Sequence, residues 1–338
     1  MRNDLCWSVL LFEAMMKLFS KAWLFSILFC AQLLFVWAEH PFKIYLEEVL
    51  SIGTLDDNTL FQWVDVVATP DDAIFVTDAL DYSIKLFDGK GNFLKKAGRK
   101  GRGPGEFSAI RLMDSSEMFL YVTDQYIPGI QVFDKNLNYK QKIPVMLSIS
   151  DLKVISDQEI AISALSAVKE KMGRIFVLDQ TGKVVREIEY THEDLPFMVD
   201  RVDFDIDLHG NLYIAYNFLD RIEKFDPAGK KLWSRGLFKG KEAKKEKISV
   251  LVVPSEYIYK DIALDNSGHV FVLGGSYSKN PSQDVYVFSA EGKLLTTFTL
   301  PDASHCIYID SQNFLYSRAN EGVTLKKFRL KYIFETEK

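Results

Sequence analysis

The residues that could do chemistry in this 338-residue chain are few, and most are aspartates. No Gly-x-Ser-x-Gly nucleophile elbow, phosphate loop or dinucleotide fingerprint occurs. Gly101-Arg-Gly-Pro-Gly-Glu-Phe107 comes nearest to a phosphate loop, with Arg99, Lys100 and Arg102 beside it, but its flanks read as strands and no helix follows. A zinc site needs converging His, Cys or carboxylate groups. The five histidines are His40, His192, His209, His269 and His305, scattered through the chain. Calcium needs six to eight oxygens, which clustered Asp and Asn could supply. Either chemistry depends on whether distant residues are brought together.

The elements that would do so form a repeat. Each unit has an apolar strand, a turn with Asp and Gly or Asn, a second apolar strand, a short polar loop, a third strand ending in Phe-Asp and a Gly-Lys turn. The clearest copy runs Val202-Asp-Phe-Asp-Ile-Asp-Leu-His-Gly-Asn-Leu-Tyr-Ile-Ala215, then Asp220-Arg-Ile-Glu-Lys-Phe-Asp226. Third strands end at Phe87, Phe133, Leu178, Phe225, Phe288 and Phe328, at intervals of 46, 45, 47, 63 and 40. Four short strands with their turns need about 40–50 residues, the size of a propeller blade. The expected fold is therefore all-β: a six-bladed β-propeller with four-stranded antiparallel blades. The last unit lacks a fourth strand. Phe42–Leu50 is strand-like and is expected to close the ring as the outer strand of blade six, with Leu330–Phe334 competing for that place. The long fourth interval holds Lys239-Gly-Lys-Glu-Ala-Lys-Lys-Glu-Lys247, read as a solvated loop.

A propeller collects residues from many blades on one face. First-strand starts contribute Asp65, Arg111, Asp203, Asp261 and His305, and second-strand ends contribute Asp78, Asp124, Asn217 and Asn320. This face is the expected binding surface. Asp65, Asp203 and Asp261 are expected on one rim, an acidic mouth. Their mutual repulsion must be compensated by a cation, calcium being the candidate, or by backbone amides. His209 and His269 fall on the opposite face.

The Asp-x-x-Gly-Asn-x-Tyr pattern, the Ile-x-x-Phe-Asp strands and the Gly101–Phe107 loop resemble NHL repeats. Over residues 42–330 the chain resembles the exported six-bladed bacterial propellers of that type. The resemblance implies the fold and a ligand- or protein-binding role. The amidating lyases of this type use several histidines around the channel, and this chain lacks that set. A metal-assisted hydrolase or lyase at the channel mouth, lactonase-like, is the alternative, with His305 beside Asp65, Asp203 or Asp261.

The N-terminus reads as a targeting signal. Lys17 and Lys21 precede an apolar run, Ala22–Ala38, with Val36 and Ala38 at the small-residue positions of a cleavage site. Residues 1–38 are expected to be a signal peptide, with Met16 an alternative start, and 39–338 a single propeller domain. The destination is periplasmic or extracellular, or membrane-anchored if the segment stays uncleaved. Hydrophobic residues at 48% and charged residues at 26% exclude a disordered chain. A net charge of −5 argues against nucleic acid, leaving a protein, peptide or carbohydrate ligand to a monomer. Past residue 38 only Cys306 remains, so no intramolecular disulfide is expected.

Overall fold

The computed structural model describes residues 42–164, 172–191, 201–239, 243–248, 251–275 and 283–334. The proposed signal segment lies outside these residues. One compact unit, Lys43–Ile333, holds the blades.

The chain begins with β1 (Phe42–Ile52). Blade one is β2 (Trp63–Ala68), β3 (Ile74–Asp78), β4 (Ser83–Phe87) and β5 (Phe93–Ala97). Blade two is β6 (Ile110–Ser115), β7 (Phe119–Asp124), β8 (Ile130–Asp134) and β9 (Tyr139–Ile143). Blade three is β10 (Ile149–Val154), β11 (Glu159–Ala164), β12 (Met172–Asp179) and β13 (Val184–Thr191). Blade four is β14 (Val202–Ile206), β15 (Leu212–Tyr216), β16 (Ile222–Phe225) and β17 (Lys231–Arg235). A hairpin, β18 (Lys245–Ile248) and β19 (Leu251–Pro254), precedes blade five: β20 (Tyr259–Leu264), β21 (Val270–Gly274), β22 (Asp284–Phe288) and β23 (Leu294–Thr299). Blade six is β24 (Ile307–Ile309), β25 (Phe314–Ala319), β26 (Thr324–Phe334) and, as its outer strand, β1. The N-terminal strand thus closes the ring as expected. Leu330–Phe334 does not compete, because it continues β26 alongside β1.

The strand sequences follow from their place in the ring. A middle strand lies in a sheet covered on both faces by neighbouring blades, so it reads as a continuous apolar run rather than an alternation. Every residue of β3, β4 and β15 is buried, whereas β5 and β17 on the rim are largely exposed. The six third-strand anchors are all buried. The core is a series of inter-blade clusters, such as Val67, Phe75, Phe107, Ile110 and Phe133 between blades one and two.

The recurring Asp is explained by its turn. The Asp88 carboxylate accepts the Lys90 and Asn92 amides, and Gly91 takes a φ of 82°. Asp134, Asp179, Asp207, Asp226, Asp265 and Asp310 each accept the amide four residues on. The fourth turn position needs left-handed backbone, which Gly adopts most cheaply. Leu137 and Asn313 occupy it in two turns, with φ of 57° and 61°.

Two loops differ from a plain reading. The lysine-rich run is not simply a solvated loop: Lys245–Ile248 pairs with Leu251–Pro254. The Ala243 amide, donating to the Phe218 carbonyl at 2.9 Å, ties the hairpin base to the channel-mouth face. In the Gly101–Phe107 loop, the Arg102 and Gly103 amides donate to the Glu106 carboxylate, which also binds Arg99 at 2.7 Å. The loop cradles its own anion.

Candidate ligand site at the channel mouth

Strand register sets the height of each channel residue. Asp65, Asp151, Asp203 and Asp261 lie opposite Thr77, Ser163, Ala215 and Leu273, at equivalent positions of blades one, three, four and five. Asp65, Asp203 and Asp261 thus share a level as expected. Asp151 joins them, and Asp114 and Asp205 lie one step deeper.

Most of these carboxylates staple one blade to the next. One Asp65 oxygen accepts the Val66 amide, and the other accepts Met113 of blade two, at 2.8 Å. Asp114 bridges Ser115 and Val154, and Asp151 bridges Leu152 and Phe204. Asp205 bridges Ile206 and Leu264, and Asp261 bridges Ile262 and Ile307. The sixth junction uses the Tyr308 hydroxyl, which donates to the Ala68 carbonyl at 3.3 Å. The bridge is needed because first strands converge on the channel without hydrogen bonding one another; a carboxylate has lone pairs for two amides. Asp203 differs. Its carboxylate accepts the Asn217 side-chain amide at 2.5 Å and no backbone amide.

Crowding and burial disfavour ionisation. Desolvation raises the Asp65 carboxyl above its ordinary range and pushes Asp114 up to about 6. Desolvation and then the charge of Asp203 raise Asp151 and Asp261. Lys153, on β10, answers this charge. Burial opposes its ammonium, but Asp205, Asp151 and Asp114 outweigh that and keep it protonated well above the ordinary lysine range. Its Nζ lies 3.8 Å from Asp205.

The aspartates share the channel with a set of cations. Arg111, Arg201, Lys260, His305 and Arg318 line a channel of about 200 Å³. The buried Lys260 ammonium donates to the Ser304 carbonyl at 2.8 Å; desolvation lowers its pKa to about 8. His305 is exposed at the entrance, and desolvation followed by the charges of Arg318 and Lys260 holds its imidazole down, to about 4. Arg318 donates to the Glu321 carbonyl and lies over the Trp63 ring.

The other expected residues are loop pins. Asp78 accepts the Phe61 and Gln62 amides and pairs with Lys85 at 2.9 Å, both charged side chains being buried. Asp124 accepts four amides, from Ser108, Ala109, Tyr126 and Ile127. Asn217 ties Asp203 to the Tyr259 carbonyl, and Asn320 donates to Thr324. Among the described residues no group of three or more His, Cys, Asp or Glu is arranged to hold a metal ion. At Asp65 and Asp261 backbone amides and Lys153 offset the charge, and at Asp203 the Arg201 guanidinium and the Asn217 side chain do so. Cys306 lines the channel, and burial pushes its thiol up.

Sequence reasoning missed Asp114, Asp151, Lys153, Asp205, Arg201, Lys260 and Arg318. The alternation Asp203-Phe-Asp205 and the match of Ser150-Asp-Leu-Lys-Val154 to Val64-Asp-Val-Val-Ala68 carried a signal for three of them, Asp205, Asp151 and Lys153.

The family model DUF5128, a 6-bladed beta-propeller, matches residues 46–152. A search of curated proteins gives no match. Similar solved structures include a member of the DUF4221 family from Bacteroides vulgatus, 12% identical, covering 88% of this chain and 100% of that chain, with a TM-score of 0.59. Virginiamycin B lyase from Staphylococcus aureus is 11% identical over 86% of this chain and 100% of its own, at 0.53. The RRP9 WD40 repeats are 15% identical over 86% and 100%, at 0.54. At such identities the likeness is one of fold, and it agrees with the blades and their register: the chain is a six-bladed β-propeller.

Proposed function

We propose that this propeller is a binding module that takes anionic ligands on its channel-mouth face. The observation that carries the reading is the cluster of Arg111, Arg201, Lys260 and Arg318 at the entrance, above carboxylates mostly occupied by amides. The exposed Lys244 and Lys247 of the hairpin add positive charge on that face. The chain is acidic overall, so this is a local concentration of charge, which attracts and orients an anion. The hydrolase or lyase alternative wants a histidine paired with a carboxylate at a metal, whereas the charges acting on His305 are cationic. The NHL-type motifs are compatible with binding but do not choose a ligand.

The test is a thermal-shift screen with anionic and neutral oligosaccharides and peptides at low and high salt. Anions should raise the melting temperature, salt should weaken the effect, and Arg318→Gln should reduce it. Equal shifts from neutral probes, or none from any anion, would refute the reading. We place the protein outside the cytoplasm on the evidence of its basic and apolar N-terminal segment. Mass spectrometry of protein made in a bacterial host should find a chain beginning at Glu39 in an extracytoplasmic fraction; an intact N-terminus in a soluble cytoplasmic pool would overturn this.

A further inference from the structure

Beside the channel a second cavity, of about 300 Å³, opens between blades two and three. Its walls are the loop after β7, the connection into β10 and, on the channel side, Arg111 and Arg201. The two arginines line both spaces. Arg111 is half-buried, yet its guanidinium makes no hydrogen bond or ion pair with a described residue. Five N–H donors in a fixed fork are thus held toward an open space. Desolvation and then the charge of Arg201 lower the pKa of Arg111 against the opposing pull of Asp203 and Asp151 on the channel side, so two like charges face each other there. Of the cavity's own lining, the carboxylate of Asp124 accepts four amides with its two oxygens, while Asp203 faces the arginines from the channel. The opposite wall is apolar and open: Tyr126 is 63% exposed and Met146 87%. A cavity of this size is at the lower end of small-ligand sites.

We propose that this cavity is an oxyanion subsite, in which Arg111 and Arg201 grip a carboxylate or phosphate group of a small organic ligand whose apolar part lies on Tyr126 and Met146. Guanidinium forks match both oxyanions bidentately. The inference rests on the reading of the mouth as an anion-binding face and assigns that face a particular ligand chemistry and a place.

Isothermal titration of the full chain with 4-phenylbutyrate, phenyl phosphate and the neutral 4-phenylbutanol tests it. At least one anion should bind and the alcohol should not; which anion binds tells carboxylate from phosphate. Arg111→Gln should weaken that anion by at least about tenfold, and Arg111→Lys should retain part of the affinity. Met146→Asp, at an exposed position, should weaken it without altering the melting temperature, which keeps the test informative if the Arg111 variants fold poorly. Equal binding of the alcohol, no binding of either anion at millimolar concentration, or full affinity in Arg111→Gln and Met146→Asp would overturn the subsite. If Arg318→Gln abolished anion binding while Arg111→Gln did not, the subsite would fall and the wider reading of the mouth would stand.

Discussion

The aligned carboxylates Asp65, Asp151, Asp203 and Asp261 share a chemistry but not a job. Replacing a staple by alanine removes the acceptor from two backbone amides, one on each blade, at about 1–3 kcal/mol for each unsatisfied group. Loss of a poorly solvated carboxylate offsets part of this, so Asp65→Ala or Asp151→Ala should cost a net 1–3 kcal/mol or so in denaturant unfolding. Asp203→Ala strands only a side-chain amide and should cost less; equal losses at all four positions would show that the amide bridges are not what matters. Asp114 makes a pH-dependent contribution. Its folded pKa, about 6, lies above the ordinary carboxyl value. A raised pKa means the native state holds the proton longer than the unfolded chain, so the contribution is present at low pH and lost as pH rises through 6. Stability measured at pH 4.5 and 6.5 should therefore fall more in the wild type than in Asp114→Asn. Parallel profiles would contradict the assignment.

At the scale of elements, the vulnerable junction is the one where the chain's two ends meet. Blade six borrows its outer strand from β1, and its contact with blade one uses Tyr308 in place of an aspartate. Removing residues 42–52 leaves β26 as an unpaired edge, takes Ile52 out of the blade six–blade one cluster and uncovers its neighbours there, such as Leu60 and Leu325. That should cost several kcal/mol and promote association through the open edge; an unchanged melting temperature and a monomeric elution profile would be the contrary result. Tyr308→Phe removes a single hydroxyl and should cost about 1 kcal/mol.

For the molecule as a whole, the proposed anion binding depends on a local charge distribution that opposes the net charge. A chain of −5 gathers Arg111, Arg201, Lys260 and Arg318 at one opening because strand ends from several blades converge there. Lys260 adds a pH signature. Its pKa, about 8, means it carries charge at neutral pH and sheds it above pH 8. Anion affinity at the mouth should fall between pH 7 and 9 in the wild type, and the fall should flatten in Lys260→Arg, whose charge persists; a profile unaffected by that change would remove Lys260 from the site.

The repeat itself determined the architecture. Phe-Asp third strands and Asp-x-x-Gly turns recur because each blade must bury both faces of its middle strands and close its hairpins with left-handed backbone, and both demands are local. Ring closure by Phe42–Leu50 was legible because blade six was one strand short. What the sequence left undecided was the destination of each aspartate. Asp65 and Asp203 look alike in their strands, yet one finds a Met113 amide across the blade junction and the other finds Asn217. That difference lies between chains of contacts 48 and 14 residues apart in sequence, and periodicity carries no information about it. The cationic cluster was hidden for the same reason. Arg111, Arg201, Lys260 and Arg318 come from four blades and fall in no motif, and only closure of the ring brings their charges to one opening.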